Sequence, residues 1–489
     1  MRTRAAGRRR RTADEVPMTR AGSRPLWDAV RVLAPPVAVW AATRAVLLLC
    51  VFKVLVLPGP DVTSDITGIY HGWSEVLKSG SFPQDDVTWQ YPPAAALAVL
   101  SPGLLPFLDY ASAFFLLACA ADAAAFALFL YAGRRPGRRL TGAWVWTAGV
   151  ALLGPTAYSR YDLMVTAVAV AALFAAAGRP RLSGVLMALG ALLKVWPVLL
   201  LTGAPLRGRR ARKLWGAAAV GALALTLLLV AWAPGGLAFL TFQRDRGTEV
   251  ESLGALVFHL ARQFGWDGEV LLNYGSVEFV GPYVPLVSFL ALVLTAAAFG
   301  WLLLWRLRAR EFTSATLADA AFTAVLLFVT TSRVISPQYM IWLVGTAAVC
   351  MTLRASRMAL PAFLVLPAAG ATLLEFPVRF ADVVSSQAPG VVMLTVRNGL
   401  LVAASLTACR RLWRSTVTGP RRRRAGDARR AAGTGHRPDA EAEPGTRRGP
   451  GAEPEPGTVA TSRTEEAAAP APVLPVSPAA RPRTPATAG

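Results

Sequence analysis

The chain has 489 residues, of which 54% are hydrophobic and 16% charged, with a mean hydropathy of +0.44. This composition excludes a soluble globular protein and is typical of a polytopic membrane protein. The net charge of +22 suggests nucleic-acid binding, but the basic residues lie in the two tails and in short loops between apolar segments. Cytoplasmic loops and tails have such a bias, so we do not expect a nucleic-acid partner.

Two polar tails flank the apolar region. Residues 1–30 are rich in arginine, and residues 411–489 contain RRRR at 421–424 followed by many Pro, Ala, Gly and Glu. Both tails have too few bulky apolar residues to offset the entropy of ordering. We therefore predict that both are disordered and cytoplasmic and that residues 31–410 form the transmembrane domain.

The region between the tails predicts an all-α polytopic bundle with about ten full spans. The predicted spans lie near residues 35–57, 110–131, 141–157, 161–177, 213–233, 284–305, 315–331, 337–353, 358–375 and 390–408. A helix needs about 20 residues to cross a bilayer. The shorter spans must therefore be extended by flanking residues or cross a thinned region.

Arginine-rich loops predict which face of the bundle is cytoplasmic. These loops are residues 132–139, 178–181, 207–213 and 306–310. Because residues 182–206 then begin and end at the same face, this segment must turn inside the membrane. Pro197 disfavours a continuous helix, and we predict two short helices with a turn near Lys194. The same argument makes residues 92–107 a partial or re-entrant element, and both breaks indicate an internal cavity.

The most unusual polar segment, residues 61–93, directly follows the first apolar segment. Its four aspartates are Asp61, Asp65, Asp85 and Asp86. Acidic groups beside a bilayer are costly to desolvate and need an explanation. Asp65 is the leading candidate for a general base, because a carboxylate there can accept a proton from a substrate hydroxyl. Capping of a helix by Ser64 or Asp65 explains the pattern equally well, and solvation of a loop is the simpler interpretation of the other pair, Asp85 and Asp86.

Several cations are predicted to lie at the outer face or inside the membrane, against the general trend. They are Arg160, Lys194, Arg244, Arg246 and Arg333. Fixed positive groups stabilise the charge on a departing phosphate, so these residues are candidates for substrate binding. Lys194 is the most informative, because an intramembrane lysine is expensive, although snorkelling to an interface is an alternative. For the loop that contains Arg244 and Arg246, a surface salt-bridge network is an equally good interpretation.

Further candidate substrate-binding residues are His259, Tyr70, Tyr91, Gln338 and Tyr339. His259 can move a proton or bind phosphate, but a lone histidine on an apolar face is more often a core residue. Aromatic side chains here can stack on a sugar or a prenyl chain, although anchoring at the membrane interface is their commoner role. No metal-ligand, P-loop or nucleotide-binding motif is present, so we expect no metal and no cofactor. A transferase without a nucleotide site needs a donor that is already in the membrane.

Six segments resemble, in order, the successive motifs of the polyprenyl-phosphate-mannose-dependent α-mannosyltransferases of actinobacteria, glycosyltransferase family 87. They are SDITGIYHGW, SGSFPQDDVTWQYPP, YSRYDLMVTAVAVAAL, LSGVLMALGALLKVWPVLLL, RDRGTEVESL and SRVISPQYMIWL. The resemblance spans about residues 35–410 and implies a GT-C-like catalytic domain over residues 31–410, in the plasma membrane. It also implies inverting transfer of a sugar, usually mannose, from a polyprenyl phosphate to an extracytoplasmic glycolipid, lipoglycan or glycoprotein.

The resemblance assigns roles to two residues. An aspartate of the first outer loop acts as general base in that family and maps onto Asp65, and the lysine before Trp-Pro maps onto Lys194. The spacing from Asp65 to Tyr70 is one residue longer than the common pattern, which leaves Asp61 as a second possibility.

The alternative function is that of a polytopic transporter or lipid flippase without glycosyl transfer. Such a protein is expected to carry charged residues along a pathway through several spans. Here we count few charges within the predicted spans, namely Asp122, Lys194 and Asp319. No internal repeat is visible either, which argues against an inverted-repeat transporter.

Overall fold

Apolar helices form a bundle that carries one small antiparallel sheet at one end. The computed structural model describes residues 24–232, 239–240, 246–273 and 275–419. The α-helices are α1 (Arg24–Val51), α2 (His71–Lys78), α3 (Ala95–Leu100), α4 (Tyr110–Gly133), α5 (Thr141–Leu153), α6 (Asp162–Ala175), α7 (Pro180–Leu193), α8 (Arg209–Trp232), α9 (Ala255–Arg262), α10 (Val284–Arg308), α11 (Ser314–Thr331), α12 (Tyr339–Thr352), α13 (Ala359–Leu373), α14 (Phe380–Val384) and α15 (Ala388–Trp413). The strands are β1 (Thr248–Glu249), β2 (Glu269–Asn273) and β3 (Ser276–Val280), in the order β1-β3-β2.

The predicted all-α membrane fold is confirmed. Seven helices of the described region are long and apolar enough to cross a bilayer. They are Arg31–Val51, Tyr110–Gly133, Arg209–Trp232, Val284–Arg308, Ser314–Thr331, Ala359–Val378 and Ala388–Thr418. The other three predicted spans contain shorter helices, α5, α6 and α12, of 13 or 14 residues. The predicted disordered tails lie almost wholly outside the described residues. Both predicted boundaries were wrong by several residues, because helix α1 already begins at Arg24, before residue 31, and helical structure continues to Thr418, past residue 410.

The predicted break near Lys194 is confirmed. Helix α7 ends at Leu193, Lys194 is extended, and a 3-10 helix follows over Trp196–Gly203. The two arms lie side by side, since a Cβ atom on Gly190 would lie 3.0 Å from Pro197 Cβ. Residues 92–107 also form a short element, with α3 followed by a 3-10 turn over Ser101–Leu104.

The loops gather at two opposite ends of the bundle. At the arginine-rich end, Arg354 N donates to Gly137 O and the Arg306 guanidinium donates to Thr202 O. The other end holds residues 52–109, 154–161, 246–283, 332–338 and 374–387, and we call it the Asp65 end. The predicted cytoplasmic loops thus share one end, and the predicted outer segments share the other.

The spans hold more charged residues than the three named from the sequence. Arg44 and Arg397 also lie in membrane-length helices. Arg44 Nε lies 2.6 Å from Asp122 Oδ2, and Trp146 Nε1 donates to Asp122 Oδ1 at 2.6 Å. Arg397 Nε lies 3.1 Å from the Glu375 carboxylate. A buried charge is tolerated when it is paired in this way, so these residues hold helices together and do not outline a pathway.

Glycines allow close contact between helices inside the bundle. A Cβ atom on Gly142 of α5 would collide with Ala348 O and Thr352 Oγ1 of α12. Small residues at such contacts are typical of membrane helix packing. The α5–α12 contact matters for function because the two helices lead directly to residues 154–161 and 332–338 at the Asp65 end.

We predict that Gly142→Ala destabilises the protein by about 1–3 kcal/mol, because the backbone carbonyl that it meets cannot move without separating two helices. Thermal unfolding in detergent measures the change. Gly216→Ala in α8 is the matched control, since a Cβ atom there meets nothing within 4 Å. Equal unfolding temperatures for the two variants would contradict this packing.

Candidate active site

The segment that carries Asp65 begins with a π-helical turn. Residues Asp65–Tyr70 form this turn, in which His71 N donates to Ile66 O, and α2 follows directly. A π turn is an α-helix with one extra residue, and such turns are frequent at functional sites. The Asp65–Tyr70 spacing is one residue longer than the common family pattern, and the wider π turn accommodates that residue. Both side chains therefore stay on neighbouring parts of one helix face. This geometry favours Asp65 over Asp61 as the counterpart of the family's base.

Asp65 forms an ion pair with Arg160. The distance from Asp65 Oδ2 to Arg160 Nη2 is 2.7 Å, and the two side chains are 32% and 12% exposed. Arg160 also donates to Ser159 O at 2.6 Å and to Val62 O at 3.2 Å, which fixes the guanidinium. Helix capping does not explain the aspartate, because Ser64 makes no capping hydrogen bond and the Asp65 carboxylate is turned to Arg160.

Lys194 lies in a buried ion pair at the break between the two arms. Its Nζ atom lies 2.7 and 2.8 Å from the two carboxylate oxygens of Asp162, and Trp342 Nε1 donates to Asp162 Oδ1 at 2.7 Å. The ring centroids of Tyr91 and Tyr161 each lie 5.0 Å from Nζ, within cation–π range. Snorkelling therefore does not describe this lysine. Its position after α7 also favours a cation, since the C-terminal end of a helix carries partial negative charge.

A single turn brings the two ion pairs together. Arg160, Tyr161 and Asp162 are consecutive, so the partners of Asp65 and Lys194 lie on alternate residues, and their Cα atoms are at most about 7 Å apart. The Tyr161 ring lies 5.0 Å from Lys194 Nζ, and its centroid is 6.0 Å from that of Tyr70. The site therefore contains the predicted base and the predicted phosphate-binding lysine in one place.

Tyr70 has a buried hydroxyl that finds no hydrogen-bond partner within the described part of the chain. Burial raises the pKa of Tyr70 well above its ordinary value of 10.0, so the phenol stays protonated and remains a donor. An unsatisfied buried donor costs about 1–3 kcal/mol. A substrate oxygen that accepted this hydrogen bond would recover that cost.

The sheet buries a further predicted cation. Arg246 Nε lies 3.6 Å from Glu278 Oε1, and Arg246 Nη2 donates to Ser276 Oγ at 2.6 Å. Both charged side chains are buried. The interpretation of this loop as a surface salt-bridge network was therefore wrong for Arg246, because its ion pair is buried and does not lie at the surface. Arg244 lies outside the described residues.

Glu249 of β1 positions the turn that precedes α12. Its carboxylate accepts hydrogen bonds from Ile335 N at 2.6 Å and Ser336 Oγ at 3.0 Å. This contact fixes the start of α12, where the Tyr339 ring lies 5.8 Å from Lys194 Nζ. Glu249 is thus part of the scaffold around the ammonium group, and sequence reasoning gave it no role.

Of the remaining candidates, Arg333 and His259 have other partners. Arg333 donates to Ser288 Oγ at 3.3 Å, and Gln338 is half-buried just before α12. His259 is buried, with Ser386 Oγ 2.9 Å from Nδ1 and Val250 O 2.8 Å from Nε2. Because the protein occupies both of its ring nitrogens, the structure favours the core interpretation of this histidine.

Three of the five predicted cations are compensated in this structure. Arg160, Lys194 and Arg246 each contact an acidic side chain, so the pocket is formed by ion pairs and is not simply cationic. Sequence reasoning missed Asp162 and Glu278 as partners. The signal for Asp162 was its place in SRYDL, two residues after a candidate cation, whereas Glu278 has no such local signal.

We predict strong coupling between Lys194 and Asp162. Lys194→Met leaves a buried carboxylate with only Trp342 as donor, and we expect a loss of about 3–5 kcal/mol in unfolding free energy. The double variant Lys194→Met/Asp162→Leu is expected to lose less than Lys194→Met alone. Chemical unfolding in detergent measures all three proteins, and strictly additive losses would show that the pair is not coupled.

We predict that Glu251 makes stability depend on pH. Burial and the nearby carboxylates of Glu375 and Glu249 raise its pKa well above 4.5. The folded state therefore binds this proton more tightly than the unfolded chain does. Its contribution is fully present below about pH 4.5 and is lost as the pH rises towards the folded-state pKa.

Glu251→Gln carries a neutral side chain at every pH, so it is expected to exceed the wild type in stability at pH 8 and to lose that advantage near pH 4.5. Unfolding in detergent across this range measures the difference. The control is Glu269→Gln, because Glu269 is exposed. A difference between wild type and Glu251→Gln that did not change with pH would refute the assignment.

Comparison with known proteins places the chain in a family. Residues 89–337 match the model of glycosyltransferase family 87, a range that includes Arg160, Asp162 and Lys194 but begins after Asp65. The comparisons with curated proteins and with solved structures gave no match. Because the matched range covers just over half of the 489 residues, the chain belongs to glycosyltransferase family 87.

Proposed function

We propose that the protein is an inverting glycosyltransferase that moves a sugar, mannose by family resemblance, from a polyprenyl phosphate to a hydroxyl of an extracytoplasmic glycolipid, lipoglycan or glycoprotein. The observation that carries this proposal is the meeting of Asp65–Arg160 and Asp162–Lys194 on one turn. A carboxylate with a cation 2.7 Å away, and a second cation paired two residues along the same turn, match the needs of this reaction, namely a base for the acceptor and positive charge for the leaving phosphate.

Asp65 is the proposed base. Its Oδ2 atom is held by Arg160, whereas Oδ1 makes no hydrogen bond to the described residues and is free to receive a proton. The acceptor oxygen loses its proton to Oδ1 and attacks the anomeric carbon. The bond from that carbon to the phosphate oxygen breaks, and both electrons leave with the polyprenyl phosphate. One displacement inverts the anomeric carbon and needs no second carboxylic acid.

Lys194 and Arg160 are the proposed phosphate ligands, and they reach this role by exchanging partners. In the absence of donor, Asp162 and Asp65 compensate them, which keeps two cations stable in a buried site. A bound phosphate competes for both cations because it brings charge and several acceptor oxygens. Release of Arg160 towards the phosphate also frees Asp65 Oδ2 from its ion pair, so donor binding makes the carboxylate available to the acceptor.

An open groove beside α2 offers a place for the acceptor. It has a volume of about 440 Å³ and is lined in part by Gly68, Gly72, Asp85 and Asp86. Gly68 and Gly72 follow Asp65 by about one and two helical turns. Asp85 and Asp86 face that helix from the next loop. Asp85 provides oxygens that accept hydrogen bonds from sugar hydroxyls. Both Asp86 oxygens already accept hydrogen bonds, from Thr88 and Trp73, so Asp86 shapes this edge of the groove.

The proposed location is the plasma membrane, with the Asp65 end outside the cell and both tails in the cytoplasm. Arginines concentrate at the opposite end of the bundle, as the positive-inside rule requires of a cytoplasmic face. The described chain both begins, at Arg24, and ends, at Gly419, on that side, because α1 leads towards the Asp65 end and α15 leads away from it.

We predict that Asp65→Asn lowers turnover by about 10²–10⁴-fold, since an amide cannot accept the acceptor's proton. The assay follows transfer from radiolabelled polyprenyl-phosphate mannose by purified protein, with release of polyprenyl phosphate as a second readout. Asp61→Asn is the matched control, because Asp61 contacts Lys53 and Thr63 and is expected to be dispensable.

Full turnover by Asp65→Asn would remove this residue from the mechanism. Loss of activity in Asp61→Asn with normal activity in Asp65→Asn would transfer the role of base to Asp61. If neither protein, nor the wild type, released polyprenyl phosphate from any lipid-linked sugar, the proposed donor class would be wrong.

A further inference from the structure

An apolar surface is exposed at the Asp65 end, outside every predicted span. Along α9 and just beyond its end, Val257, Leu260 and Phe264 follow helical spacing and share one face. They are 56%, 62% and 83% exposed. The opposite face of α9 carries the buried Phe258 and His259. Helix α9 is therefore amphipathic, with one face packed in the protein and the other uncovered.

The β2–β3 hairpin extends this surface. Leu272 is 78% exposed and lies opposite Val277, on the hairpin face that also carries Phe279. Phe279 packs against Phe258 of α9, with ring centroids 5.3 Å apart. The exposed leucine thus belongs to the layer formed by α9 and the hairpin. We call α9 together with the β2–β3 hairpin the wedge.

The wedge is joined to a helix whose sides face lipid. A Cβ atom on Gly254, just before α9, would lie 3.0 Å from Val287 in the first turn of α10, and Trp266 Nε1 donates to Pro282 O at 3.1 Å. Only 17% of the residues in the apolar stretch of α10 are buried inside the protein, and the Phe289 side chain is 60% exposed. The wedge therefore adjoins the first turn of a membrane-length helix whose apolar sides are mostly exposed.

The length of α10 sets the depth of the wedge. Its 25 residues span about 37 Å, which exceeds the hydrocarbon thickness of about 30 Å. The first turn of α10 therefore extends into the interfacial layer, and the wedge lies beside that turn. The single arginine of α9, Arg262, donates to Val384 O and Ser386 Oγ, so it is directed into the protein and not to lipid headgroups.

We propose that the wedge inserts its apolar face into the interfacial layer of the bilayer and that its partner is the lipid surface itself. Exposed apolar patches of this kind mark contact sites, and amphipathic helices bury such faces about 5–10 Å into the boundary of headgroups and acyl chains. Apolar contact is the attractive force, because the basic side chain of α9 is occupied. The proposal rests on the membrane fold and does not depend on the proposed reaction.

Site-directed spin labelling tests the proposal. In a protein with Cys50, Cys119, Cys350 and Cys409 replaced by alanine, nitroxides are attached at Leu260→Cys, Phe264→Cys and Leu272→Cys and studied in phosphatidylcholine vesicles. We expect more collisions with oxygen than with a water-soluble nickel complex, as at the lipid-facing control Phe289→Cys. The aqueous controls are Asp267→Cys, between α9 and β2, and Glu269→Cys, at the start of β2 on the hairpin face opposite to Leu272; both positions are exposed, and the nickel complex is expected to dominate there.

Two outcomes overturn the proposal. Labels at residues 260, 264 and 272 that behave like those at the aqueous controls would place the apolar face of the wedge in water, and immobile labels shielded from both reagents would show that protein, such as a second copy, covers it. A measurement on the unaltered chain guards against misfolding of the cysteine-free protein. A lipid-soluble carbene reagent is expected to label residues 257–264 as well as α10, and labelling of α10 alone would refute insertion.

Discussion

Two ion pairs on alternate residues of one turn hold the candidate site together. Residues 160–162 receive Asp65 from the segment after α1 and Lys194 from the break after α7, so three distant parts of the chain meet at a single point. A buried charge without its partner is costly, and each pair therefore restricts where the other segments can lie. The aromatic rings around the lysine add to this restriction, since they contact the ammonium from several sides.

Under the proposed function, this arrangement resolves a conflict that any site for an anionic lipid faces inside a membrane protein. Cations that bind phosphate are needed only while the phosphate is present, yet they remain buried in its absence. Pairing each of them with a carboxylate keeps the empty site neutral at low dielectric, and a phosphate then competes for the cation. In such a site the acidic residues are as important as the basic ones, because they set how much binding energy the phosphate must supply.

Much of the fold follows from the sequence because membrane insertion imposes simple rules. Apolar length predicts the helices, and the arginine-rich loops group at one end. The parity of those loops predicts the break at Lys194, which the structure contains. The site was harder, because ion pairs join residues that are far apart in the chain. Glu278, for example, neutralises Arg246 only because β3 returns beside β1, and no local pattern near either residue predicts that contact.

The π turn at Asp65–Tyr70 has a consequence for how related chains are compared. A helix with one added residue widens locally, so the parts before and after the insertion keep their relative orientation. Residues that occupy the same place in two related structures are then separated from a shared residue, such as Tyr70, by sequence distances that differ by one. Alignment by position alone would then shift the aspartate out of its column. Superposition in three dimensions would return it to register, so homology at this loop is better judged by shape than by counting.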